Sequence, residues 1–107
     1  MSVEIHDNSK EISEDIKAAL LRGLETCGLI AEGYAKKLAP VDTGNLRNSI
    51  THDVDDGDQA AYIGTNVEYA PYQELGTIHM KAQPFLKPAV AYHANKYRKI
   101  IEDELKG

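Results

Sequence analysis

The sequence predicts an α+β fold: a long N-terminal helix, a small antiparallel β-sheet built on a hairpin, a short central helix and a long C-terminal helix. Three observations predict it. Apolar residues recur every three or four positions over residues 8–39 and 85–105, the pattern of amphipathic helices. Between them lie period-two alternation, an Asp-Gly turn signal and the chain-turning Pro40, Gly44, Gly57 and Pro71. The whole chain is 107 residues with 42% hydrophobic and 27% charged residues, which suits one compact domain over 1–107.

The first helix is expected over 8–39. Ile12, Ile16, Leu20, Leu24, Cys27, Ala31, Tyr34 and Leu38 form its apolar stripe. Asn8 and Ser9 are suitable N-caps, Glu11, Glu14 and Asp15 load the first turns, and Lys36 and Lys37 the last, as the helix dipole favours. Pro40 ends it by pushing Ala39 out of the α region. About 30 helical residues span roughly 45 Å, whereas a compact chain of this size has a radius of gyration near ~13 Å. The helix must bend, with Gly23 and Gly28 as kink positions, or expose apolar surface that an oligomer would cover.

A turn over 41–45 leads to a strand over 49–54, where Ile50, His52 and Val54 alternate with Thr51 and Asp53. Asp55-Asp56-Gly57-Asp58 is hairpin chemistry, with Gly57 tolerating positive φ. The return strand runs over 59–65, with Ala60, Tyr62 and Gly64 on one face and Ala61, Ile63 and Thr65 on the other. Residues 69–76 read as a short helix, with Pro71 near its start and Gly76 at its C-cap, and 77–83 as irregular chain or a third strand, so that 46–83 forms the central β-containing segment. Pro84-Phe85-Leu86-Lys87-Pro88 opens the last helix, whose stripe is Ala89, Val90, His93, Tyr97, Ile100, Ile101 and Leu105. Glu102, Asp103 and Glu104 oppose its dipole.

Charge and motif content exclude several functions. Twelve Lys and Arg against 17 Asp and Glu give a formal net charge of −5, which argues against a phosphate-neutralising nucleic-acid binder. The lone Cys27 excludes an internal disulfide and, on the apolar stripe, reads as a small buried hydrophobe. No secretory leader and no membrane-spanning run is expected. The acidic run Asp53, Asp55, Asp56 and Asp58 fails Ca²⁺-loop spacing, because an EF-hand register starting at Asp53 puts Asp58 where Gly is needed and Gly64 where Glu is needed. His6, His52, His79 and His93 fall in four separate segments, so no metal site and no cofactor is expected. Nothing assembles a catalytic group, and a hydrolase using Glu74 and His79 is the weakest reading. Six tyrosines and one Phe stand out, with Tyr62, Tyr69 and Tyr72 close together around Pro71. A Tyr set of this kind suits either a subunit boundary or a covered sheet edge.

Three blocks carry a resemblance. Residues 39–50, with Pro40, Asp42, Thr43, Gly44 and Leu46, residues 63–77, with Gly64, Pro71, Glu74 and Gly76, and residues 82–89, with Pro84, Phe85, Leu86 and Pro88, resemble the gene-10-product family of lambdoid and other tailed phages. Its members are described as neck, head–tail joining, tail-completion or minor tail components. The resemblance implies a head–tail connector-like domain and a structural virion protein, with no enzymatic activity, that docks on other proteins. It implies a homo-oligomeric ring, a hexamer or dodecamer, that contacts other phage neck, connector and tail proteins, with DNA only as passing cargo and no membrane. The protein is then expected in the virion at the head–tail interface, and in the host cytoplasm before assembly. Tyr62, Tyr69, Tyr72 and Glu74 are the partner-interface candidates, and the Pro, Gly and apolar motif residues are read as mainly structural. Asp55, Asp56 and Asp58 are candidates for an acidic channel wall that phosphate slides past. A stand-alone adaptor that engages one partner is the competing reading.

Overall fold

Short-range alternation in Ser2-Val3-Glu4-Ile5-His6 is enough for a strand once a partner strand is present. In the computed structural model, which describes residues 2–6, 13–39, 45–68, 70–76 and 81–106, the chain opens with β1 (Ser2–His6) and continues into α1 (Glu14–Leu38). Then come α2 (Asn45–Ser49), β2 (Thr51–Asp55), β3 (Ala60–Gly64), α3 (Ala70–Leu75), α4 (Leu86–Ala91) and α5 (Ala94–Lys106). The fold is α+β, with a three-stranded antiparallel sheet in the order β1-β3-β2. The register sets Val3 and His52 on either side of Ile63, and Glu4 and Asp53 on either side of Tyr62.

Helix α1 starts at Glu14, later than the expected 8–39, because Ser13 is extended and its Oγ accepts the Ile16 N–H at 3.3 Å. The Asn8 and Ser9 caps lie outside the described residues. At the other end Ala39 is extended (φ −65°, ψ 136°), as a residue before proline must be. The stripe of Leu20, Leu24, Cys27, Ala31 and Ala35 is essentially inaccessible. It packs on Ala61 and Ile63 of the sheet, on Phe85, Leu86 and Ala89 around α4, and on Tyr97 of α5.

Four expectations are corrected. The third strand is β1, at the N-terminus, while residues 77–80 lie outside the described set and 81–85 are irregular. The hairpin's left-handed residue is Gln59 (φ 52°), whereas Gly57 has no positive φ, because Asp55 pairs with Ala60 across a four-residue turn, closing two residues later than a tight Asp-Gly turn would. The expected 85–105 helix is two helices. Tyr92 ends α4, its N–H bonded to the Pro88 carbonyl, and His93 stacks on Tyr34 of α1 at 3.7 Å, after which α5 runs along α1. No Gly or Pro marks that joint, so the apolar periodicity passes through it unbroken.

The fourth correction concerns the long helix. Gly23 and Gly28 are points of close approach inside a continuous helix: a Cβ on Gly23 would lie 3.4 Å from Ile101, and one on Gly28 only 2.9 Å from the His52 ring. The molecule measures 50 × 22 × 22 Å, with a radius of gyration of 15.0 Å. By elongating alongside α1, the chain covers the middle of the stripe itself. Among the described residues of the stripe, those near the ends emerge, with Ile16 46% and Leu38 47% exposed.

Two glycines of α1 thus differ by environment. Gly28→Ala gains up to about 1 kcal/mol of helix propensity but overpacks the His52 ring, at a typical cost of ~1–3 kcal/mol; a net loss is expected in urea unfolding. Gly33→Ala, with nothing within 4 Å of the added methyl, raises stability by about 0.5–1 kcal/mol.

Candidate docking interface

Of the four expected interface residues, the side chains of Tyr62 and Glu74 are described, and both make contacts within the chain. Tyr62 is half-buried on the central strand, and its hydroxyl donates to Asp58 Oδ2 at 3.3 Å. Tyr69 and the side chain of Tyr72 lie outside the described residues, as do Pro40, Asp42, Thr43 and Gly44. Glu74 points inward and is only 6% exposed. Its Oε1 accepts the N–H groups of Phe85 and Leu86 at 3.0 and 2.9 Å, and its Oε2 that of Lys87 at 3.2 Å. One carboxylate therefore caps the start of α4 and fixes it to α3. These bonds hold the fold together.

Other motif residues work the same way. Leu46 is buried, and Arg47 Nε donates to the Lys36 carbonyl at 3.1 Å, capping the last turn of α1. Ser49 Oγ bonds the Leu46 carbonyl at 2.7 Å and also the Thr65 hydroxyl, while Thr65 Oγ1 accepts the Val67 N–H at 3.1 Å. Gly76, with φ 78°, follows α3 in the left-handed conformation, as expected of a C-cap glycine. Phe85, Leu86 and Pro88 are buried.

A second polar lock was not read from the sequence. His52 of β2 lies against Gly28 and between two carboxylates of α1, with Nδ1 3.0 Å from Glu32 and Nε2 2.5 Å from Glu25. Glu32 also pairs with Lys36 at 3.2 Å. Burial alone would lower the His52 pKa, but the hydrogen bonds and charges of Glu25 and Glu32 outweigh it and hold the imidazole above its ordinary 6.5. Burial would raise Glu32, yet His52 and Lys36 bring it below 4.5. The signal was available as Glu25-x-x-Gly28-x-x-x-Glu32, two carboxylates flanking a side-chain-free seat on one helix face.

The chemistry-bearing groups are otherwise occupied. Cys27 is inaccessible, its thiol directed at the Tyr97 carbonyl at 3.5 Å, and burial pushes its pKa up to about 11. His79 lies outside the described residues. Among the described residues no group of three His, Cys, Asp or Glu is placed to hold a metal ion, and no helix is long and apolar enough to cross a membrane. At the hairpin tip, Asp55 accepts the Asp58 N–H at 3.1 Å and Asp56 pairs with Lys17 at 3.2 Å.

Exposed apolar side chains mark where contacts are available. Tyr92 is 81% and Leu75 72% exposed, and Tyr92 borders a hollow of about 170 Å³ with Pro84, Lys87, Pro88 and Ala91. Tyr92 was passed over in the sequence because it falls off the apolar stripe, and that position is itself the signal of an outward aromatic.

A family model described as "Bacteriophage HK97-gp10, putative tail-component" matches residues 4–76. No curated protein and no solved structure gives a significant match.

Two measurements test the locks. The Glu74 carboxylate makes three charge-assisted bonds to backbone, each worth roughly 1.5–3 kcal/mol and not additive. Glu74→Ala should therefore cost about 3 kcal/mol or more in urea unfolding, and Glu74→Gln about half as much. For the clamp, the raised His52 pKa means stability that is full below pH 6.5 and lost as pH rises through the folded value above it. The lowered Glu32 pKa means stability that is full above pH 4.5 and lost as pH falls through the folded value below it. The urea midpoint should thus be highest between those limits, and His52→Gln should flatten the fall on the alkaline side.

Proposed function

The chain belongs to the HK97-gp10-like family of bacteriophage tail components, and from that membership we propose that it is a structural protein of a tailed phage or prophage that joins head to tail, completing the tail or forming part of a neck ring. The observation that carries the reading is the family match over residues 4–76. The buried polar locks support it: the motif residues that can be described stabilise one rigid body, and the buried thiol and engaged imidazoles suit docking without catalysis. The protein would reside in the virion at the head–tail junction after synthesis in the host cytoplasm. There it would form a homo-oligomeric ring against portal-side and tail-tube-side partners, with DNA passing through as cargo.

Deleting the gene from an inducible phage tests this. Electron microscopy of the lysate should show filled heads and unattached tails, and supply of the protein in trans should restore joined particles. Normally joined, infectious particles from the deletion would overturn the reading.

A further inference from the structure

The molecule is long and electrically polarised along its length. At one end the first turn of α1 carries Glu14 and Asp15, and the hairpin tip is held there by the Lys17–Asp56 pair. The C-terminal turns of α5 reach the same end, since Ile101 lies against Gly23 and Arg22 pairs with Glu104 at 3.4 Å. Those turns bring Glu102 and Asp103. At the opposite end Lys36 and Lys37 close α1, Arg47 lies on the Lys36 carbonyl, and Lys96 Nζ donates to the Tyr34 hydroxyl at 2.9 Å.

Helix dipoles account for only part of this. Glu14 and Asp15 suit the N-terminus of α1, and Lys36 and Lys37 its C-terminus. Glu102, Asp103 and Glu104 sit in the last turns of α5, where the dipole disfavours carboxylates. Arg22 meets Glu104 and Lys99 meets Asp103 at 3.2 Å, both as exposed pairs that return little stability, so the acidity of that end is only partly matched within the chain and remains able to meet a charge outside it.

Each end also presents apolar surface left uncovered by the chain. Ile16 and Leu105 emerge at the acidic end, and Leu38 and Tyr92 at the basic end. An apolar centre with a charged rim is the usual build of a protein interface. Opposite rims on the two ends of one molecule make the surfaces complementary to each other and repulsive to themselves, which selects a head-to-tail contact over a two-fold one.

We propose that the acidic end of one copy, around Ile16 and Leu105, docks on the basic end of the next, around Leu38 and Tyr92. This rests on the self-assembly part of the proposed function and assigns the surfaces that would make it. A head-to-tail contact closes into a ring when the rotation per copy divides a full turn.

Charge reversal at each end tests it. Glu14→Lys and Asp15→Lys with Glu102→Lys give a chain with two basic ends, and Lys37→Glu with Lys96→Glu one with two acidic ends; far-UV circular dichroism and urea midpoints establish that both fold. Wild-type protein in analytical ultracentrifugation at low salt should self-associate, and at about 1 M salt, where the Debye length is ~3 Å, it should weaken by at least tenfold. Each variant alone should sediment as a monomer, while an equimolar mixture recovers the wild-type assembly, because every contact again pairs opposite charges. Wild-type assemblies unaffected by both reversals would overturn this interface and leave self-assembly standing. A wild-type chain that is monomeric at about 1 mM, where even a millimolar contact is half populated, would overturn self-docking. The joining role is then still judged by the deletion phage.

Discussion

The structure depends on the packing of most other elements against α1. Helix α5, the sheet, α4 and α2 all pack on it, and they can do so because its buried face is narrow in side-chain volume: Ala19, Gly23, Gly28, Ala31 and Ala35 alternate with Leu20, Leu24 and Cys27. Small residues let α5 and β2 approach within contact distance, so one helix can seat a sheet and three further helices around its length. The outcome is an elongated body whose core follows the helix as a strip. Long-helix geometry, which in isolation argues for a partner, is satisfied over most of α1 by the chain itself.

The three motif blocks act as parts of one device. Arg47 ties the first block to the end of α1, the Ser49–Thr65 contact ties the first block to the second, and the Glu74 carboxylate ties the second to the third. Two blocks that are separate in sequence thus share a single buried polar group, and a chain carrying one without the other would leave a carboxylate or three helix-start N–H groups unsatisfied.

How far this was legible follows from which interactions are local. The α1 stripe, the hairpin partners Thr51–Asp55 and Ala60–Gly64, the short helix α3 and its C-cap at Gly76 rest on neighbours a few residues apart, and they were readable. β1 was not, since five alternating residues have meaning only against β3, more than fifty positions away. The α4–α5 break arises from His93 stacking on Tyr34, a contact 59 positions apart in the numbering, and no breaker residue records it. The burial of Glu74 was not legible for the same reason: a Glu beside tyrosines on a short helix looks outward until the chain returns eleven residues later with three N–H groups for its carboxylate. Of the candidate interface, only Tyr62 among the tyrosines is described, and its hydroxyl already bonds Asp58.

The acidity has a different meaning at each place it occurs. Glu25, Glu32 and Glu74 are structural anions, matched within the chain by His52, Lys36 or backbone N–H groups. Asp53 and Asp55 lie on exposed positions of edge strand β2, where charge also deters unwanted strand pairing. At the α5 terminus Asp103 pairs with Lys99 and Glu104 with Arg22, but these are exposed pairs of small worth, and the three carboxylates together still work against the dipole of their own helix. A channel wall repelling phosphate and a docking end attracting lysines place different demands on them: the first needs carboxylates left open to solvent, the second needs them covered. Ile16 and Leu105 beside those carboxylates favour the proposed docking end, because exposed apolar side chains are wasted on a solvent-filled wall and useful under a neighbour.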